Sequence, residues 1–375
     1  MKEGKVIGGK VVTRPYKFLI IVALIAAYFL ARRFIFGLGD VTGMNDGYPW
    51  GIWIAYDVVV GTAFACGGYA LAILIYVLNK RQYSPLLRPA ILASMFGYSL
   101  AGLSVFFDIG RYWQMHHIFL PGFANPTSVL FEVALCIAIY TIVLWIEFTP
   151  TFLTRLGADK MQARLDKFMF FFIALGILLP TMHQSSLGTL MVIAGSKLHP
   201  LWWSSFLPIL FLISSVLLGF AAVIFESSIS TLRYKVEDEN HVLQKLATIF
   251  PWIIGIYLLI RFADVIAKGH GGMIFSGSSQ SIMFIIENLL YLIPAIFLAM
   301  PEFRQSKRTL FFCALSLMLA GALYRFNCFI IQYEPGNGWH YYPKAGEVWI
   351  TLGIIAAEIM GYLLFIKKLP VFRRA

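Results

Sequence analysis

The sequence places several ionisable side chains inside long apolar stretches, where such residues are costly and usually serve a function. His183 lies in the stretch Leu178-Leu-Pro-Thr-Met-His-Gln-Ser-Ser186. The proline frees backbone carbonyls and kinks a helix, and three polar residues follow the histidine, so a polar cavity is expected there. Imidazole titrates near neutral pH and can donate a proton and be reprotonated. The stretch is therefore a candidate site for proton chemistry, although a lone buried histidine is also typical of a satisfied core residue.

Charged residues in other apolar stretches could act together with this histidine. Most lie toward one end of their stretches, the end that the basic residues below assign to the outer face of the membrane. This outer group includes Asp57, Asp108, Arg111, Glu132, Arg261, Asp264 and Arg325. Further carboxylates lie near the middle or the opposite face: Glu358, Glu147 and Glu226. Carboxylates at different depths could relay protons between a buried site and either surface.

Each of these charges also has a purely structural explanation. Asp108 with Arg111, and Arg261 with Asp264, stand three residues apart, so each pair could neutralise itself on its own helix. Buried glutamates can be protonated and hydrogen-bonded to a neighbouring helix. The glutamates nearest the opposite face can simply be solvated at helix ends.

The elements that carry these residues are predicted to be membrane-spanning helices. The chain has 375 residues, of which 59% are hydrophobic and 13% charged, whereas an average soluble domain carries roughly 25% charged residues. This composition argues against a water-soluble globular enzyme. A spanning helix needs about 20 mostly apolar residues. Ten windows meet this requirement: 17–36, 50–79, 89–113, 127–149, 167–195, 201–226, 246–268, 280–300, 308–333 and 347–367.

The distribution of Lys and Arg orients these helices. Both terminal segments and alternate loops together account for 22 of the 30 basic residues, and the other side, with its loops and adjoining helix ends, accounts for 8. Basic residues concentrate in cytoplasmic loops. The pattern predicts that both termini are cytoplasmic, and it assigns the formal charge of +11 to those loops rather than to nucleic-acid binding.

Cysteine and histidine patterns give no sign of a metal centre in the chain. The four cysteines lie in apolar stretches without C-x-x-C spacing, so neither an iron–sulfur cluster nor a zinc site is expected. A bis-histidine haem needs two histidines that face each other within the bundle. Since His183 alone lies inside a predicted helix, the sequence predicts no haem and no other metal.

Short words recur in the two halves of the chain at an offset of about 153 residues. Ser128-Val-Leu-Phe131 matches Ser281-Ile-Met-Phe284, and Trp50 matches Trp203. The recurrence predicts an all-α integral membrane protein, a single polytopic domain over 1–375, with two four-helix bundles. Helices two to five form the first bundle, over 46–195, and helices six to nine the second, over 200–333. Helices at 17–36 and 347–367 flank them.

The segments together resemble the NrfD/PsrC family of polysulfide-reductase-type membrane subunits, and within it the HybB branch. The resemblance covers nearly the whole chain and is strongest from 46 to 226. The segments that carry it include Asp46-Gly-Tyr-Pro-Trp-Gly-Ile-Trp-Ile-Ala-Tyr-Asp57, Ser94-Met-Phe-Gly-Tyr-Ser99, Asp108-Ile-Gly-Arg-Tyr-Trp113, Ser128-Val-Leu-Phe-Glu132 and Leu179-Pro-Thr-Met-His-Gln-Ser-Ser-Leu-Gly188.

The resemblance implies a subunit of the bacterial inner membrane that docks a ferredoxin-like iron–sulfur partner at the periplasmic face. It would exchange electrons between a nickel–iron hydrogenase, through its large and small subunits, and a membrane quinone, menaquinone or ubiquinone. The family also anchors molybdenum oxidoreductases of the polysulfide or nitrite type, so that partner stays open. A secondary transporter is a rival class, but the intramembrane charges crowd one half rather than the midplane. A purely structural anchor would not explain so many costly polar residues.

Within this resemblance we predict the residues that handle quinone and protons. His183 is the candidate hydrogen-bond donor to a quinone carbonyl, and Asp108 and Arg111 would set its charge. Candidate walls of the quinone pocket are Tyr112, Trp53 and Tyr56. The candidate proton-transfer residues are Asp57 and Glu132 near the pocket, with Glu358, Glu147 and Glu226 extending the relay across the membrane.

Overall fold

The computed structural model describes residues 4–234, 236 and 239–373. Lys2, Lys235 and Arg374, counted above among the cytoplasmic basic residues, lie outside them. Within the described residues, ten helices are long and apolar enough to cross a membrane, which confirms the predicted all-α architecture. They are α1 (Arg14–Phe36), α2 (Trp53–Val77), α3 (Arg81–Asp108), α4 (Val129–Leu156), α5 (Asp159–Lys197), α6 (Leu207–Tyr234), α7 (Asn240–Ala267), α8 (Ser279–Ala299), α9 (Lys307–Ile331) and α10 (Ala345–Lys368).

Short elements join or close these helices. The 3₁₀ helices Tyr112–Phe119 and Gly271–Phe275 follow α3 and α7, and the α-helical turn Pro301–Gln305 follows α8. Two two-residue strands, β1 (Gly4–Lys5) and β2 (Phe372–Arg373), pair antiparallel and bring the two ends of the chain together. This short strand pair joins the two terminal segments and does not form a sheet layer of the fold.

The helices pack mainly on their neighbours in sequence, and further helix–helix contacts connect the two halves of the chain. α4 packs on α3 and α5, and α8 on α7 and α9. Between the halves, α6 packs on α5 and α2, and within the second half it packs on α9; α1 packs along α10. The division into two four-helix bundles with two flanking helices stays a prediction.

Helix α2 is the most irregular of the ten. Its first two turns, Trp53–Val60, and its last turn, Ile73–Val77, are π-helical. This winding is rare in proteins overall, but where it occurs it is often at a functional site. Between them the helical bonding is interrupted at Ala65 and Cys66. At this interruption Gly219 of α6 approaches so closely that a Cβ on it would lie 2.7 Å from the Cys66 carbonyl. Close contact through small residues is a common way for membrane helices to associate.

The C-terminal end of α3 is held by a guanidinium from α1. Arg33 is 2% exposed and donates from Nε to the Phe107 carbonyl (2.8 Å) and from Nη2 to the Ile109 carbonyl (2.6 Å). The last carbonyls of a helix have no partner within it, and a cation there also favours the helix dipole. Arg33 and Arg32 are among the 8 basic residues on the side predicted to face away from the cytoplasm. Arg33 caps the end of α3, and Arg32 forms an exposed ion pair with Asp40 (2.8 Å).

Gly219→Ala is expected to destabilise the fold, because the added methyl meets the backbone of α2 and cannot be accommodated by a side-chain rotation. Overpacking of this kind costs about 1–3 kcal/mol. Thermal unfolding of the purified protein in detergent measures the effect. Gly255→Ala in α7 is the matched control, since no atom lies within 4 Å of the added Cβ. Equal melting temperatures for both variants would contradict the assigned crossing.

Candidate functional site

A cavity of about 450 Å³, partly open at the protein surface, lies between α2, α3, α6, α9 and α10. Its volume falls in the range of small-molecule sites. Four of the predicted site residues line it: Tyr56, Asp57, Glu358 and Glu226. Much of the remaining lining is apolar, from residues such as Phe64, Leu100 and Ile355. The cavity therefore joins carboxylates predicted at different depths into one continuous space.

Helix α10 sets the depths of these carboxylates. Thr351, Glu358 and Tyr362 lie on one face of it, since seven and eleven residues return a helix to nearly the same direction. Thr351 lies near Asp57, with its hydroxyl 3.4 Å from Oδ2, and the Tyr362 hydroxyl donates to Glu226. At 1.5 Å of rise per residue, Glu358 lies about 10 Å below Thr351 and about 6 Å above Tyr362. The three carboxylates thus form a column along the cavity.

Asp57 occupies the outer end of this column. It is 5% exposed, and its Oδ2 accepts a hydrogen bond from Ser104 of α3 at 3.1 Å. Its Oδ1 has no hydrogen-bond partner among the described residues. A buried carboxylate oxygen without a partner is costly, so this atom is available to a ligand or a water in the cavity.

Glu226 occupies the inner end. Its Oε1 accepts hydrogen bonds from Ser230, one turn further along α6, at 2.8 Å, and from Tyr362. Glu358, between the two ends, receives no hydrogen bond from a described side chain. The sequence-based prediction singled out the three acids but missed Ser230 and Tyr362; the i,i+4 spacing of Glu226 and Ser230 is the one signal in the sequence that points to either of them.

His183 lies on the other side of α2 in a dry polar network. It is 1% exposed, and its Nε2 is 3.1 Å from Oγ1 of Thr62. Gln184 donates from Nε2 to the same hydroxyl oxygen at 3.1 Å, and Tyr98 packs edge-on against the imidazole. The described residues that line the large cavity do not include His183. Thr62, which sequence reasoning passed over, is the residue that ties the two polar side chains of α5 to α2.

The hydrogen bonds around Thr62 fix the tautomer of His183. The Thr62 hydroxyl has a single hydrogen, and it donates this to the Val58 carbonyl at 2.6 Å. Nε2 of His183 must therefore donate, so the neutral ring carries its proton on Nε2. Nδ1 is then a free acceptor, and it has no partner among the described residues. The neutral ring can therefore only accept a hydrogen bond from a ligand, through Nδ1. To donate a hydrogen bond to a ligand from Nδ1, the ring would have to be protonated to the imidazolium.

Arg325 of α9 completes the network. It is fully buried, and it donates to Gln184 Oε1 (3.1 Å), Ser214 Oγ (3.1 Å) and the Phe211 carbonyl (3.3 Å). No carboxylate among the described residues lies within ion-pair distance of it. The sequence shows an arginine inside the membrane, but not that it would bind amides and hydroxyls rather than an acid.

The remaining predicted quinone residues form a third group at the outer end of α3. Asp108 is the last residue of α3, so Arg111 does not follow it around a helical turn; Arg111 is exposed, and no ion pair joins these two described residues. The predicted self-pairing of Asp108 and Arg111 is therefore not observed. Tyr112 packs edge-on against Phe34, and the Arg33 guanidinium lies 5.1 Å from its ring centre.

The last three predicted residues lie apart from one another. They are Trp53, Glu132 and Glu147. Trp53 is fully buried and donates from Nε1 to the Glu347 carbonyl at 3.2 Å, so its indole anchors α2 to α10. Glu132 of α4 accepts a hydrogen bond from Ser186 at 2.8 Å, one turn beyond His183. Glu147 lines a smaller cavity of about 110 Å³ toward the opposite end of α4. The predicted residues thus occupy separate sides of α2 rather than one pocket.

A buried ion pair holds the second half of the chain. Arg261 of α7 lies 2.5 Å from Glu287 of α8, with the two side chains 3% and 0% exposed. Trp202 and Asn327 also donate to Glu287, at 2.8 and 2.5 Å. The alternative in which Arg261 pairs with Asp264 is not observed, because Asp264 binds Lys268 at 2.6 Å instead.

Comparisons with known proteins place the chain in a family. The family model described as polysulphide reductase, NrfD, matches residues 40–333. The chain belongs to the NrfD family. This confirms the resemblance seen in its motifs.

Curated relatives cover nearly the full chain of this NrfD protein. A protein of Escherichia coli (strain K12) named "Probable Ni/Fe-hydrogenase 2 b-type cytochrome subunit" is 44% identical over 97% of this chain and 94% of its own. The "Menaquinone reductase, integral membrane subunit" of Nitratidesulfovibrio vulgaris (strain Hildenborough) is 28% identical, over 93% and 88%. A protein of Mesobacillus selenatarsenatis that is named as a subunit of selenate reductase is 22% identical, over 95% and 93%.

The expectation that this NrfD protein has no haem is wrong on this comparison, since a relative is named a b-type cytochrome subunit and a b-type cytochrome carries haem. The buried side chains of the described residues do not fit such a group. Haem iron needs an axial ligand such as histidine. His183 is the one buried histidine among the described residues, and its Nε2 is bound to Thr62.

Glu287→Gln is expected to destabilise this NrfD protein strongly, because it leaves the buried Arg261 guanidinium without its counter-charge. Breaking a buried pair on one side costs about 3–5 kcal/mol. Asp40→Asn is the control, since it breaks an exposed pair worth about 0–1 kcal/mol. Thermal unfolding in detergent compares the two, and a small loss for Glu287→Gln would mean that the pair carries little of the stability.

Proposed function

We propose that the protein is the quinone-reactive membrane subunit of a hydrogenase, which passes electrons between an iron–sulfur partner and the membrane quinone pool. Family membership and the extent of the likeness to a protein named as a hydrogenase 2 subunit support this function. A second relative is named for menaquinone reduction, which supports quinone as the substrate. The column of Asp57, Glu358 and Glu226 along one interior cavity is the observation that carries the proposal.

Quinone chemistry explains why carboxylates should line a cavity in the membrane. Reduction of a quinone takes up two electrons and two protons, and oxidation of the quinol releases them. Electrons can tunnel through the protein, but protons need a chain of groups or waters. At about 30 Å³ per molecule, the cavity has room for about 15 waters or for a ring and fewer waters. Asp57, with its unpartnered Oδ1, is placed to exchange the proton with a quinone oxygen.

We place the quinone ring at the outer end of the cavity, against Tyr56 and beside Asp57. Tyr56 stacks on Phe326 with ring centres 5.9 Å apart, which gives a flat aromatic wall. His183 lies on the opposite side of α2, and its Nδ1 is an alternative direct contact for the quinone. The predicted hydrogen bond from its ring to a quinone carbonyl requires the imidazolium, so the neutral ring is better suited to accept from a quinol hydroxyl.

The partner and the orientation follow from the same proposal. A ferredoxin-like iron–sulfur subunit, with the nickel–iron large and small subunits, would dock at the periplasmic face, where the outer ends of α2 and α3 lie. Both termini would be cytoplasmic, in the bacterial inner membrane. Relatives named for menaquinone reductase and selenate reductase favour a second candidate, the same quinone role beside a different oxidoreductase.

Co-purification tests the partner. The chain carries an affinity tag after Ala375, is extracted in mild detergent, and its bound proteins are identified by mass spectrometry. We expect a ferredoxin-like iron–sulfur protein together with nickel–iron hydrogenase subunits. A molybdenum enzyme in their place would keep the quinone role and change the partner, whereas a chain that is recovered alone would contradict the electron-transfer function.

Asp57→Asn is expected to slow quinone turnover by the assembled complex by about 100-fold or more, the usual contribution of a positioned acid or base. Quinol formation in membranes, with hydrogen as the reductant, measures the effect. Ser104→Ala is the control, because it removes one hydrogen bond to Asp57 and keeps the carboxyl, so it should change turnover only modestly. His183→Gln tests on which side of α2 the quinone ring binds. A larger loss of turnover in this variant than in Asp57→Asn would place the ring beside the histidine.

A further inference from the structure

Helix α10 leaves an opening beside the large cavity. It packs along α1 and on α3, whereas among the described residues its packing on α6 and α9 is slight. Both α9 and α10 pack on Trp53–Val60, the first turns of α2, so these turns close the opening at its outer end. Farther in, the hydrogen bond from Tyr362 to Glu226 joins α10 to α6 through side chains rather than through close helix packing. The cavity therefore opens sideways, between α10 on one side and α6 with α9 on the other.

The side chains at this opening are apolar and reach the outer surface of the helix bundle. Ile229 of α6 and Ile359 of α10 both line the cavity, and each is 41% exposed. Beside them the lining consists of Phe225, Met318 and Ile355. Since all five residues belong to helices long enough to span the membrane, the surface that they reach faces lipid hydrocarbon. We call this group of five residues the lateral opening.

The polar groups of the cavity lie on the wall away from the lateral opening. Asp57, at the closed outer end, is 5% exposed and keeps Oδ1 without a hydrogen-bond partner among the described residues. Glu358 points toward α3, since a Cβ on Gly97 would lie 3.4 Å from its Oε1. Burying an unpaired charge is costly, so the charged headgroup of a phospholipid is unsuited to the outer end. A ligand with a small uncharged polar head and an apolar tail matches both parts of the cavity.

We propose that the lateral opening holds the isoprenoid tail of the quinone, while the quinone ring lies beside Asp57. The inference rests on the proposed function for the identity of the ligand. Along α10 the lining runs from Ile354 to Leu363, a distance of about 14 Å at 1.5 Å of rise per residue. A tail of several isoprene units is longer than this, so its far end must leave the cavity. The lateral opening lets it leave directly into lipid.

The cavity slants through the membrane, and this slant gives the tail a direction. On α2 the lining begins at Tyr56, in the first turn of the helix. On α6 it runs from Ala222 to Tyr234, which lies wholly in the second half of that helix. Under the predicted orientation, the first turn of α2 is periplasmic and the second half of α6 is cytoplasmic. The ring therefore lies on the side of the iron–sulfur partner, and the tail points toward the inner leaflet.

Photo-crosslinking tests the location of the tail without reference to turnover. The purified complex in lipid nanodiscs is incubated with a menaquinone analogue that carries a diazirine on its second isoprene unit, then illuminated and digested for mass spectrometry. We expect labelled peptides that contain Ile229 and Ile359, with less labelling when unmodified menaquinone is present in excess. Absence of label from both peptides would overturn the inference.

A second probe distinguishes a quinone tail from a lipid chain. It is a phosphatidylethanolamine with a diazirine on one acyl chain, applied to the same complex. If this lipid labels the peptides of Ile229 and Ile359 and excess menaquinone does not reduce that labelling, the lateral opening holds a phospholipid chain and the inference is wrong. Labelling by the lipid that excess menaquinone reduces would support it.

Ile359→Trp tests whether the tail uses the lateral opening during turnover. The indole should raise the KM of the assembled complex for a long-tailed menaquinone several-fold, and should change the KM for menadione, the same ring without a tail, much less. Ile293→Trp on α8 is the matched control, because Ile293 is 46% exposed and is not among the described residues that line the cavity. It should leave both KM values unchanged.

Equal effects of Ile359→Trp on the two quinones, or none on the long-tailed one, would overturn the tail site. A failure of the proposed function shows differently. It would appear as a parent complex that the menaquinone analogue labels at the lateral opening but that turns over neither quinone.

Discussion

A lipid bilayer offers no water to a buried polar group, so every such group in this protein must find its partner within the chain. Most of them do. Arg33 takes the carbonyls at the end of α3, and Glu287 takes Arg261 with two further donors. Ten buried side-chain atoms among the described residues have no hydrogen-bond partner. One of them is Asp57 Oδ1, and Asp57 also lines the large cavity, so this atom is the one that a ligand there can reach.

The same constraint explains what could be predicted from the sequence. Ten apolar stretches had to become ten helices, because a backbone that crosses a bilayer must satisfy its own hydrogen bonds. Acids inside those stretches also stood out, since their cost makes them rare. Asp57, Glu358 and Glu226 were identified in this way, and the structure brings all three to one cavity.

Partners could not be predicted, because they depend on which helices meet and at what height. Asp108 and Arg111 have the spacing of a helical pair, but the helix ends between them and a guanidinium from α1 occupies the end of α3. Glu226 was expected to be simply solvated as one alternative, yet a tyrosine from α10 donates to it.

Helix α2 divides the polar interior into two environments, one with a roomy cavity and one that is dry. On the dry side, Arg325 is a fixed positive charge with hydroxyl, amide and carbonyl partners but no acid. An arginine placed in this way raises the electrostatic energy of any cation that approaches, as it does in pores that pass water and exclude protons. The seam between α5, α6 and α9 is therefore an unfavourable place for hydronium and metal ions. Under the proposed function, protons would be expected to move on the other side of α2, where the carboxylates lie.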